Sequence, residues 1–184
     1  MTVILLARGD GQKYKPMIVF KAVPGARIAR EIMAYDDENA HHTVQENAWT
    51  DEEVLEGWNE EIWRPIVETN HGSKLLLLDS LQLHKKNEVS LKNGDRDLGI
   101  RYIPENCTPI LQPLDIGVIK IFKRNFRNIW SLNPEVDITR TMLSTWIKQA
   151  WNEVSEEAIS NSFRQYALQK NNLEDSRDTA MEIE

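Results

Sequence analysis

Cysteine is nearly absent: Cys107 stands alone among 184 residues. A single thiol excludes an internal disulfide and a cysteine zinc cluster. Long apolar runs are missing too. No stretch reaches about 18 residues, so no membrane span is expected. The opening MTVILLARGDG lacks the apolar core and small-residue cleavage site of a signal peptide. No internal repeat is visible. These absences point to an intracellular protein. What is present is ordinary globular material, 41% hydrophobic and 28% charged. The length suffices for one domain with a substantial core.

The net charge of −7 argues mildly against general nucleic-acid affinity. Its distribution is more informative. Residues 1–30 carry +5, residues 31–68 carry −11, residues 74–130 carry +4 and residues 131–184 carry −5. A basic body is thus flanked by acidic segments.

TVILL and PMIVF, with Asp10-Gly11 between them, predict a β-hairpin. The triplet Arg8-Gly9-Asp10 belongs to that turn rather than to an integrin motif. VPGAR (23–27) predicts a turn, and the polar residues 35–48 a loop. Adjacent His41 and His42 rarely share a face, so a solvated loop is favoured over a metal site. Thr50 to Glu68 predicts a helix, with Thr50 and Glu53 as a capping box and Leu55, Trp58, Ile62 and Ile66 as its apolar stripe. Its acids read as a solvated face. Leu75 to Leu78 predicts a strand buried on both faces and closed by Asp79. An exit loop (80–84), a weak helix (85–92), a turn (94–97) and a strand (100–103) follow.

Residues 115–130 predict a helix with Ile119, Phe122, Phe126 and Ile129 inward. Lys120, Lys123, Arg124 and Arg127 repeat that spacing on another face. A further amphipathic helix is expected over 137–152, with Ile138, Met142, Trp146, Ile147 and Ala150 inward. Ser155 caps a last helix carrying Ile159, Phe163 and Tyr166. One domain is expected over 1–170, with a disordered acidic tail over 171–184. Strands alternating with helical patterns indicate an α/β fold.

Two carboxylates stand out. Asp79 closes a strand, where α/β sites gather. Asp115 sits near a helix start. Such acids can converge on a hard divalent cation. Asp79 could equally bond loop amides, and Asp115 could be an ordinary N-cap.

The segments KLLLLDSLQLH and YIPENCTPILQPLDIGVIKIFK resemble the DDE superfamily endonuclease domain of pogo, Tigger and jerky-type transposases, a group related to centromere protein B. The resemblance rests on Asp79, Ser80 and His84, then Pro104, Asn106 and Thr108, then Gln112, Pro113, Leu114, Asp115, Gly117, Val118, Ile119, Phe122 and Lys123. The Gln-Pro-Leu-Asp stretch is its most specific part. The resemblance implies a ribonuclease H-like mixed sheet with flanking helices, in which three acids hold two Mg²⁺ or Mn²⁺ ions for phosphoryl transfer. Asp79 matches the second acid and Asp115 the third. His84 and Gln112 are site-adjacent, and no small-molecule cofactor is implied. The family's first acid lies on a first, central strand ahead of the hairpin, and this sequence opens at the hairpin. Asp10, in the turn, is no substitute. The resemblance therefore implies an N-terminally truncated transposase, a decayed copy or an incomplete gene product. It implies a nuclear protein that meets DNA, and a homodimer or another transposase copy as partner. Activity by descent, lost in this fragment, is one expected function. The other is a non-catalytic DNA- or chromatin-binding module. A protein scaffold built on the acidic helix has no specific support.

Overall fold

The computed structural model describes residues 1–69, 72–80, 82–92, 97–104, 111–134 and 137–181. The predicted hairpin forms. Strand β1 (Thr2–Ile4) pairs antiparallel with β2 (Met17–Lys21), with Val3 opposite Ile18. The turn closes through Arg8 N–H to the Gln12 carbonyl. Asp10 caps it, accepting from the Arg8 guanidinium and from the Gln12 amide, and its pKa falls to about 2 as a result.

Helix α1 (Arg27–Met33) follows the 23–27 turn. The polar loop expected over 35–48 instead contains strand β3 (His41–Gln45), parallel to β2. The sequence disguised this strand because its buried polar group finds partners elsewhere in the chain. His42 is fully buried. Its Nε2 lies 2.7 Å from Ser144 Oγ and its Nδ1 3.1 Å from Asp36 Oδ1. The solvated-loop reading of His42 is corrected accordingly.

The acidic helix runs from α2 (Glu52–Trp58) through a π-helical turn (Asn59–Trp63) into α3 (Arg64–Thr69). Its cap is Asp51, which accepts from Val54 N–H at 3.0 Å, not the predicted Thr50. The π turn widens the buried face, so Trp63 and Val67 join Leu55, Trp58 and Ile62 inside. Strand β4 (Lys74–Leu78) pairs parallel with β5 (Leu98–Tyr102). β4 is not buried on both faces as expected: Leu76 is buried, but Leu75 is 56% exposed. The predicted exit loop contains α4 (Gln82–Lys86), and α5 is confined to Glu88–Lys92. Most of the 94–97 turn and the Asn106–Thr108 segment, with Cys107, lie outside the described residues.

Three helices complete the chain: α6 (Ile119–Ser131), α7 (Arg140–Asn152) and α8 (Glu156–Met181). Thr139 caps α7, and Ser155 caps α8 as expected. α8 runs on to Met181. No glycine or proline interrupts that stretch, and glutamate, arginine and alanine favour helix.

The architecture is mixed α/β, with two sheets in the orders β1-β2-β3 and β4-β5. Two apolar clusters cover opposite faces of the first sheet. Ile18 and Phe20 point into one with Val118, Phe122 and Trp151. Met17 and Val19 point into the other with Trp58, Trp63 and Leu76. Among the described residues, no strand pairs with the outer edge of β1. Among the described residues, β1 and β4 are not paired with each other. No helix of the described residues is long and apolar enough to cross a membrane.

Candidate functional site

Asp79 follows the last residue of β4. Its Oδ1 lies 2.6 Å from Nδ1 of His84, which α4 brings back over the strand end. The Tyr102 hydroxyl donates to the His84 carbonyl at 3.2 Å and so ties α4 to β5. His84 therefore positions the Asp79 carboxylate.

Asp115 lies in a π-helical turn (Leu114–Val118) that leads into α6. Pro113 holds the cap position and Asp115 lies inside the turn, so the N-cap alternative falls. Gly117 permits this turn to lie against α8: a Cβ at that position would stand 3.3 Å from Ser162 Oγ. Burial raises the Asp115 pKa, the Lys123 charge opposes the rise, and the Asp79 charge adds to it. The two acids are therefore electrostatic neighbours, brought together from a strand end and a helical turn 36 positions apart.

Lys120, Lys123, Arg124 and Arg127 are all exposed on α6. Lys123 stands at the acids, and the other three extend the stripe along the helix. Phe122 and Ile129 are buried on the opposite side, while Ile119 and Phe126 are half-buried.

Asp79, His84, Gln112 and Lys123 line one end of a groove of about 860 Å³. The rest of its wall is mainly apolar, built from residues 2–9 on one side and 73–79 on the other. Two polar atoms in this wall are buried without a hydrogen-bond partner among the described residues, the Oε1 of Gln112 and the Nε1 of Trp58. Each unmade bond costs about 1–3 kcal/mol. The Trp58 amine and the groove itself were missed in the sequence, where Trp58 reads only as packing.

Oxygen donors such as Asp79 and Asp115 suit Mg²⁺ or Mn²⁺ in kind. They fall short in number: among the described residues, no three His, Cys, Asp or Glu side chains form a metal-binding group.

The mouse protein "Pogo transposable element with KRAB domain" is 29% identical across the whole chain, which spans 31% of that protein. The mouse "Jerky protein" is 26% identical over 89% of the chain and 30% of its own length. "CENP-B homolog protein 1" of Schizosaccharomyces pombe is 31% identical over 53% of the chain and 22% of its own length. The chain thus spans less than a third of these relatives. No solved structure gives a significant match. The family described as DDE superfamily endonuclease matches residues 1–163, and the chain belongs to that family.

Proposed function

We propose that residues 1–170 form one ribonuclease H-like domain that meets DNA in the nucleus and carries part of a two-ion nuclease site. What supports this reading is that Asp79, held by His84 at the end of β4, shares a groove with Lys123 and adds its charge to the field at Asp115. Asp79 and Asp115 would hold Mg²⁺ or Mn²⁺. When bound, such ions activate the attacking oxygen and stabilise the leaving one. His84 holds Asp79 in place, and the α6 stripe offers phosphate contacts. The parallel β4–β5 pair and antiparallel β1–β2 hairpin support the mixed sheet. Two acids alone do not fix two ions in line, so catalysis needs a further carboxylate.

The test is calorimetric titration of Mn²⁺ into the chain and its Asp115→Asn variant. Weak, millimolar-range binding is expected, lost in the variant. The raised Asp115 pKa means protons compete from a higher pH than for an ordinary carboxylate, so affinity should decline early on acidification. Burying the ionised Asp115 costs stability at neutral pH. The metal-free variant should therefore melt no lower than the parent. Unchanged Mn²⁺ binding in Asp115→Asn removes this reading.

A further inference from the structure

Trp49 and Trp130 are the exposed tryptophans among the described residues, at 70% and 43%. Their surroundings differ in charge. Trp49 follows Glu46 and precedes Asp51, Glu52 and Glu53, which repel anions. Trp130 sits near the end of α6, the helix that carries the cations. Lys120, Lys123, Arg127 and Trp130 are spaced 3, 4 and 3 positions apart, so the indole continues the basic stripe by one turn.

The ring is held in place. Trp146 of α7 meets it at 5.8 Å and 65°, and Phe126, one turn back on α6, at 6.0 Å and 60°. Neither lies parallel to it, whereas Trp58 and Trp63 in the core stack at 8°. Packing therefore fixes the indole yet leaves it without a stacked partner among the described residues. A fixed aromatic beside a row of cations suits a single strand of nucleic acid: the cations follow the phosphates and the ring takes a base.

We propose that α6 binds single-stranded DNA, with an unpaired base stacked on Trp130 and the adjoining phosphates on Arg127, Arg124 and Lys123. The proposal rests on the DNA reading above and names the form of DNA. In a duplex the base faces are already stacked on one another, so the ring gains nothing from paired DNA. An acidic peptide would meet the cations but offers the ring no flat face. From Lys123 to Trp130 the helix rises about 10 Å. At about 3.4 Å per phosphate along one strand, that is about three nucleotides. Lys123 is also the cation whose charge acts on Asp115. A strand laid along the stripe thus brings a phosphate toward the acids about three nucleotides from the stacked base.

The test is fluorescence anisotropy of labelled oligo(dT) of about twelve nucleotides, with the full 184-residue chain and no metal. A duplex and an abasic deoxyribose-phosphate chain of the same length are the comparison ligands. Trp130→Leu keeps an apolar side chain against Phe126 and Trp146 but has no ring face. It should weaken oligo(dT) binding about fivefold or more, since stacking of one base is worth that much. Trp130→Phe should restore most of the loss. Binding of the duplex and of the abasic chain should be the same in parent and variants. The salt dependence for oligo(dT) should keep its slope in Trp130→Leu, because stacking releases no counterions. Equal oligo(dT) affinity in parent and Trp130→Leu overturns the proposal. So does an equal loss on the duplex or the abasic chain, which would make Trp130 a packing residue only. Binding of polyglutamate that depends on Trp130 also overturns it, and assigns the surface to an acidic peptide. Salt-sensitive duplex binding with no effect of Trp130 defeats this inference alone, whereas binding of no DNA at all defeats the DNA reading with it.

Discussion

His42 shows how one residue can be misread when its partners are far away in sequence. Asp36 precedes it by six positions and Ser144 follows by 102. The neutral ring donates from Nδ1 to Asp36 and accepts at Nε2 from the Ser144 hydroxyl, an arrangement that meets both nitrogens. The Phe20 ring stacks on it at 6.3 Å and Tyr35 meets it edge-on at 6.0 Å. Burial lowers the His42 pKa from 6.5, and the Asp36 carboxylate opposes that fall only in part. The unfolded chain therefore takes up this proton at higher pH than the folded one. The stability held by neutral His42 is complete above about pH 6.5 and is lost as pH falls from there toward the depressed folded value. Urea midpoints should accordingly drop between pH 7.5 and 5.5, and the His42→Phe variant should show a flatter profile. Parallel profiles for the two proteins would mean that another group carries the effect. Nothing in the stretch AHHTV announces this pairing, because the serine that completes it belongs to a helix.

At the scale of elements, the hairpin does more than start the sheet. Lys13 donates from Nζ to the carbonyls of Trp151, Asn152 and Val154, at 3.2, 2.7 and 2.7 Å. A cation thereby satisfies carbonyls that the end of α7 leaves open. Gly11 sits at φ 106°, and a Cβ there would lie 2.7 Å from the Glu156 carbonyl oxygen at the start of α8. Gly11→Ala should cost at least about 2 kcal/mol, since a strained backbone conformation alone costs about 1–3 kcal/mol. Gly25→Ala makes a matched control, with φ 77° and nothing within 4 Å. Equal losses in the two variants, read from urea midpoints, would reject the close approach to α8. The hairpin, β4, β5 and the later helices were legible because their apolar spacing matches their periods. Helix α1 was not, since Ala26 gives it no side-chain cap. Nor were the π turns at Asn59–Trp63 and Leu114–Val118, because one extra residue in a turn leaves no mark on composition.

The candidate site was legible at the level of the whole molecule only through resemblance. Strand end and helical turn gave Asp79 and Asp115 as possibilities, and the Gln-Pro-Leu-Asp stretch joined them. The groove between β1 and β4 depends on how two sheets sit against each other, which no local pattern encodes. That arrangement decides what the chain can do alone. It offers two neighbouring acids, one of them held by His84, and four exposed cations on α6. Phosphate contacts need only the cations, whereas cutting needs carboxylates enough to fix two ions about 3.5–4 Å apart. Asp10 cannot add the missing group, since it is exposed in the hairpin turn and engaged by Arg8. The 184-residue chain should therefore bind duplex DNA with an affinity that falls steeply with salt, yet leave it intact. Changing Lys120, Lys123, Arg124 and Arg127 together to alanine should flatten the dependence of log affinity on log salt, by about 0.9 for each phosphate contact removed. Supercoiled DNA incubated with the chain and Mn²⁺ should remain supercoiled. Robust nicking that both Asp79→Ala and Asp115→Ala abolish would contradict this, and would mean that a third acid within these residues completes the site.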